Sequence, residues 1–162
     1  MSRTIRTEPL TAAAFAPFGE VLEAAGEPDK LINAGLCGRY HDRARLDFGD
    51  GRPGISIFDA APRRLPLELD LVERHPDGSQ AFIPMTQAPF LVIVAEDEGG
   101  LPGRPRAFLT APGQGVNFRR GVWHGVLTPL TAPGLFAVVD RIGDGPNLEE
   151  YRFETPYLVV AD

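Results

Sequence analysis

Glycine and proline interrupt this chain so often that few folds are open to it. The 162 residues contain 18 Gly and 16 Pro, spread between short apolar runs rather than gathered in a tail. Each interruption favours a turn, and the stretches left between turns have strand length. Residues 18–23, 31–37, 54–58, 67–75, 80–85, 90–95, 106–111, 116–124 and 134–141 read as strands, and residues 157–160 would add an edge strand. Only the Ala-rich piece after Thr11 reads as a helix, with Thr11 as its N-cap and Pro17 as its stop. Short strands at this spacing, with one or two short helices, predict an all-β sandwich or barrel. Pro84 withholds one ladder hydrogen bond, so an edge position or a strand end is expected for it. Asn33 and Gly35 are unusual inside a strand, and Gly35 suggests a bulge or a close backbone approach. No repeat, linker or composition break divides residues 1–162, so a single domain is expected.

Composition removes several classes of function. The formal charge is −6 and the basic residues are dispersed, which argues against nucleic acid as a partner. No apolar run approaches the ~18 residues of a membrane span. The first ten residues lack the apolar core of a secretory signal, which points to the cytoplasm. The lone cysteine, Cys37, cannot form an internal disulfide and reads as a small buried apolar residue.

Chemistry concentrates in two stretches. In residues 71–85, L-V-E-R-H-P-D-G-S-Q-A-F-I-P-M, a charged turn separates two apolar runs. Glu73 and His75 are two apart, so on a strand they share a face. Gln80 follows across a Pro-Asp-Gly-Ser turn that reverses the chain, which brings it toward the same side. The second stretch, residues 113–124, ends R-R-G-V-W-H. The three histidines of the chain are His41, His75 and His124. Arg39-Tyr-His-Asp places four hydrogen-bonding side chains in a row, as a site edge or a solvated segment. Trp123 either lines a pocket beside His124 or fills a barrel mouth, and Asp140-Arg141 is either a supporting pair or a strand-end ion pair.

The two stretches resemble the sequence motifs of the cupin superfamily. The first such motif has two histidines one residue apart and then a glutamate; here Glu73, His75 and Gln80 stand at those positions. The second has a glycine, a later P-x-G and a histidine; here Gly113, Arg119-Arg120-Gly121 and His124 stand there. At closer range the chain resembles the ureidoglycolate lyase family. The carrying residues are Phe18-Gly-Glu-Val, Ile32-Asn33, Arg39-Tyr-His-Asp, Glu73-Arg-His-Pro with Gly78 and Gln80-Ala-Phe-Ile-Pro-Met, Gly113-Gln-Gly-Val-Asn, Val122-Trp-His and Asp140-Arg. The resemblance implies a cupin-like β-barrel or jelly roll and a homodimer. It also implies cleavage of (S)-ureidoglycolate to glyoxylate and urea in allantoin degradation, and a divalent ion, nickel among others.

That substrate is a carbinolamide bearing a carboxylate. Its cleavage needs a base at the hydroxyl, an acid at the leaving nitrogen, an anion clamp and a surface for the ureido group. His124 or Glu73 is expected as the base, with His75 as a ligand or proton donor. Gln80 and Asn117 are expected at the ureido group, and Arg39, Arg119 or Arg141 at the carboxylate. Asn33, His41 and Trp123 complete the expected substrate contacts. Glu73, His75, Gln80 and His124 are the expected metal ligands, since imidazole and carboxylate suit divalent ions of this class. The competing expectations are a hydrolase releasing ammonia, a cupin that only binds a small organic acid, and a metal-dependent sugar or polyol enzyme.

Overall fold

The computed structural model describes residues 2–162. Its strands in chain order are β1 (Thr4–Pro9), β2 (Gly19–Leu22), β3 (Lys30–Ile32), β4 (Cys37–Arg39), β5 (Arg52–Asp59), β6 (Leu67–Arg74), β7 (Gln80–Pro84) and β8 (Phe90–Ala95). They continue with β9 (Asp97–Glu98), β10 (Leu101–Pro102), β11 (Arg106–Leu109), β12 (Gly115–Phe118), β13 (Trp123–His124), β14 (Thr128–Pro129), β15 (Leu135–Ile142) and β16 (Glu149–Val160). The single helix among the described residues is α1, Ala12–Phe15, whose first turn is capped by Thr11 Oγ1 accepting from the Ala14 amide at 3.2 Å.

Two sheets make the body. The first runs β11-β1-β16-β6-β13-β8-β14, and a β8–β11 pairing closes six of those strands into a barrel. β1 lies parallel to β11 and β16, and the other pairings in that ring are antiparallel. Closure leaves those strands without free edges. The second sheet, β2-β12-β7-β15-β5, is antiparallel throughout. This all-β architecture is consistent with the expected cupin-like fold.

One barrel wall serves two cores, because strand residues alternate between faces. Leu91, Ile93, Ala95, Ala107, Val72 and Trp123 point into the barrel, where Phe153, Tyr157 and Val159 meet them. Phe90, Val92, Val94 and Phe108 point the other way, onto Phe82, Val116, Phe118, Phe136 and Val138 of the second sheet. Burial on both faces explains why β8 is continuously apolar instead of alternating. Phe15 of α1 is fully buried in the intersheet core, its ring 5.8 Å from those of Phe18 and Phe108.

Several expectations need correction. Residues 31–37 are not one strand: β3 and β4 form a hairpin whose turn carries Asn33, Ala34 and Gly35 at positive φ. That hairpin stands off the sheets, so Cys37 is exposed and not buried. The tail strand is not at an edge. β16 runs from Glu149 to Val160 between β1 and β6, because an unforeseen strand, β1, lies outside it. Pro84 ends β7, as its missing amide requires.

Candidate functional site

Register brings the two chemical stretches together. His124 on β13 lies opposite Glu73 on β6 and Val94 on β8, so its side chain shares their face, toward the second sheet. His75 follows the last residue of β6, and its ring centroid is 5.1 Å from that of His124. Candidate ligand atoms of Glu73, His75 and His124 all lie within 4.8 Å of one another. Across the gap, Phe118 stacks on His124 at 4.4 Å with the planes 2° apart, and Gln80 sits opposite Phe118 in the register. The site therefore occupies the layer between barrel wall and second sheet, at the end where the apolar packing gives way to polar groups.

The hydrogen bonds fix what each imidazole offers. His75 Nδ1 lies 2.8 Å from the Asn147 carbonyl and His124 Nδ1 lies 2.9 Å from the Gly125 carbonyl. A carbonyl only accepts, so each Nδ1 carries the proton and each Nε2 keeps its lone pair. Both Nε2 atoms are buried and without a partner in the chain. Burial, reinforced slightly by the charge of His75 and opposed by the Gly125 carbonyl, lowers the His124 pKa to about 3. Burial raises the Glu73 carboxyl above its ordinary range, with Glu150 adding to the rise and His75 opposing it.

Two unpaired imidazole nitrogens beside a carboxylate fit a divalent cation by donor chemistry, and carbonyl-anchored Nδ1 atoms are the usual way such ligands are oriented. The backbone of the turn holds this geometry. The Gly121 amide donates to the His75 carbonyl at 3.0 Å, and Arg120 Nε donates to the Pro76 carbonyl at 2.6 Å.

A sequence model of the family described as ureidoglycolate lyase matches residues 2–160. The chain belongs to the ureidoglycolate lyase family. It is 67% identical over 153 residues to a ureidoglycolate lyase of Rhodobacter capsulatus, covering 94% of this chain and 95% of that protein. It is 55% identical over 159 residues to one from a Chelativorans species, covering 97% and 96% of the two chains. A protein of Rhizobium meliloti named ureidoglycolate lyase 2 is also 55% identical, over 93% of this chain and 94% of its own.

Against that family assignment, the expected site residues divide into two groups. Glu73, His75 and His124 converge, and Gln80 lies on the facing sheet beside Phe118. Others face elsewhere. Trp123 precedes His124 on the same strand and so points into the barrel core, where its indole N–H donates to Asp97 at 2.9 Å and Arg74 stacks 4.3 Å from its ring. Asn117 precedes Phe118 and points to the outer side of the second sheet, donating to Glu20 and to the Arg45 carbonyl, both at 3.1 Å. Arg119 is half exposed and lies 3.4 Å from Glu20. Arg141 follows Asp140 onto that outer side and bonds Asp50 at 2.6 Å. Asn33, Arg39 and His41 belong to the separate hairpin and its exit. The Arg39 carbonyl accepts from the Asp29 amide at 2.9 Å, and the His41 amide donates to the Asp29 carboxylate at 2.8 Å. Sequence reasoning left out Phe118 and Asn147, which support His124 and His75, while Asp140, read there as one half of a supporting or ion pair, supports Gln80.

Proposed function

We propose that this chain cleaves ureidoglycolate to glyoxylate and urea, and that Glu73, His75, His124 and Gln80 carry the reaction. The observation behind this reading is the pair of unpartnered imidazole Nε2 atoms beside the Glu73 carboxylate, in a chain of the ureidoglycolate lyase family.

Glu73 is the base of the set. Its raised pKa makes it a stronger proton acceptor than an exposed carboxylate, and it takes the proton from the substrate hydroxyl. His124 stays neutral at physiological pH and offers Nε2 only as a lone pair. As the C–N bond breaks, Glu73 passes that proton to the departing nitrogen, so no water is consumed. Phe118 and Val94 keep bulk water from the reacting groups. A divalent ion, nickel being the family's implied choice, would be held by His75, His124 and one Glu73 oxygen; there it would supply positive charge for the carboxylate and Lewis-acid polarisation of the hydroxyl. That charge matters because Arg119 and Arg141 pair with Glu20 and Asp50, and Arg39 lies on the separate hairpin.

The exposed Ile55, Ile57 and Ile83 form an apolar patch on the outer face of the second sheet, supporting a homodimer of single-domain chains; light scattering would measure it. An exposed free Cys37 suits a reducing compartment, so cytoplasmic residence is part of the proposal. Among the described residues no helix is long and apolar enough to cross a membrane.

The test is incubation with racemic ureidoglycolate, quantifying glyoxylate, urea and ammonia with and without chelator. Urea equal to glyoxylate, from one enantiomer, is expected. Ammonia as the main nitrogen product would favour a hydrolase, and no product from folded, metal-supplied protein would favour a binding role or a sugar substrate.

A further inference from the structure

Gln80 is 7% exposed, lies on β7 opposite Asp140 of β15, and donates through Nε2 to Asp140 Oδ2 at 3.1 Å. An ionised carboxylate accepts and cannot donate. The amide of Gln80 therefore has one favoured orientation. Its NH2 faces Asp140, and its carbonyl oxygen is left as a buried acceptor with no partner in the chain. A buried amide oxygen without a donor costs free energy unless something binding there supplies one. The face it occupies also carries Phe118 and, stacked on that ring, His124.

We infer that Asp140 is a positioning residue that locks Gln80 as a hydrogen-bond acceptor, so that Gln80 selects ligands presenting an N–H of a ureido group. The inference rests on the reaction proposed above and deepens it. With the amide free to turn, Gln80 could present its NH2 equally well and would accept a carboxylate or hydroxyl in that place. Asp140 removes that alternative. The glutamine at the position where cupins commonly carry a carboxylate then has a reason: a carboxylate beside Asp140 would repel it, whereas an amide bridges it to the ligand.

The test compares two analogues by calorimetry on the protein as purified. N-carbamoylglycine keeps the ureido group and carboxylate; glycolate keeps the hydroxyl and carboxylate but has no ureido group. In Asp140→Asn the amide is released, because an asparagine can donate to Gln80 as well as accept from it. N-carbamoylglycine should bind about tenfold more weakly, the loss of one ordinary hydrogen bond, while glycolate affinity stays within about twofold. Gln80→Met removes the acceptor without touching Asp140 and should show the same selective loss, so the proposal remains testable if Asp140→Asn does not fold. Equal weakening of both ligands, or no weakening of either, would overturn the role of Asp140 and leave the lyase reading standing. Failure of the wild-type protein to bind either analogue would overturn the substrate reading and this inference with it.

Discussion

Acidification should destabilise this protein through His124, and the size of the effect can be worked out. Burial holds its imidazole at about 3 in the fold against an ordinary 6.5. A depressed folded pKa means the unfolded chain binds the extra proton first. The contribution of His124 is then fully present above about pH 6.5 and is lost as pH falls toward about 3. By linkage the loss is about 2 kcal/mol at pH 5 and about 3 kcal/mol at pH 4. Glu73 acts in the opposite sense, since its raised folded pKa adds stability at low pH that fades as pH rises through that value. Comparison with His124→Phe isolates the histidine, because the phenyl ring keeps the stacking on Phe118 and has no proton to bind. Chelator-treated protein would be unfolded in guanidinium chloride at pH 7 and pH 5, with Trp123, the single tryptophan and a buried one, as the fluorescent reporter. With an m-value of about 4 kcal/mol/M, the midpoint of the wild type should fall by about 0.5 M more than that of the variant. Equal shifts in the two proteins would refute the argument that His124 is held neutral by burial.

Other expectations concern the frame of the site. Phe15→Ala removes a fully buried ring packed on Phe18, Phe108 and Phe118, and should cost about 3–5 kcal/mol, read as a fall of about 10 °C or more in Tm. Gly19→Ala would put its methyl 1.8 Å from the Asn117 carbonyl oxygen; since both atoms belong to paired strands, the variant should be insoluble or lose more than about 3 kcal/mol. Thr11→Ala removes the cap of α1 and should lower stability by only about 1 kcal/mol, with turnover unchanged.

How far the sequence could be read depended on which face was buried. β8 was legible because a six-residue apolar run has few alternatives once turns bound it. Glu73, His75 and His124 were legible because their spacing and flanking residues resemble a known pattern, and the register then brought them together. Trp123 and Asn117, expected among the substrate contacts, turn away from His124 and Phe118 for one shared reason. Each is adjacent to a site residue, and adjacent strand residues face opposite ways. Both are buried, since each sheet face at that point is covered, so hydrophobicity could not say which neighbour faced the site. β16 was hidden by a register shift between Arg152 and Tyr157, which breaks the alternation that marks a strand. Asn147 left no trace because its contact with His75 runs through its backbone carbonyl, which every residue possesses. Asp140 was read together with Arg141, as a supporting pair or an ion pair, yet the two side chains leave the strand on opposite sides and only Asp140 reaches Gln80.

The most direct test of the central claim is the rate of urea release by Glu73→Gln, measured beside its guanidinium midpoint at pH 7. The substitution keeps the shape of the side chain and removes the proton acceptor nearest both imidazoles. The account predicts a rate at least about a hundredfold lower, the usual range for loss of a general base, with stability unchanged or higher because a half-buried charge is gone. A folded Glu73→Gln protein that releases urea at the wild-type rate would contradict it.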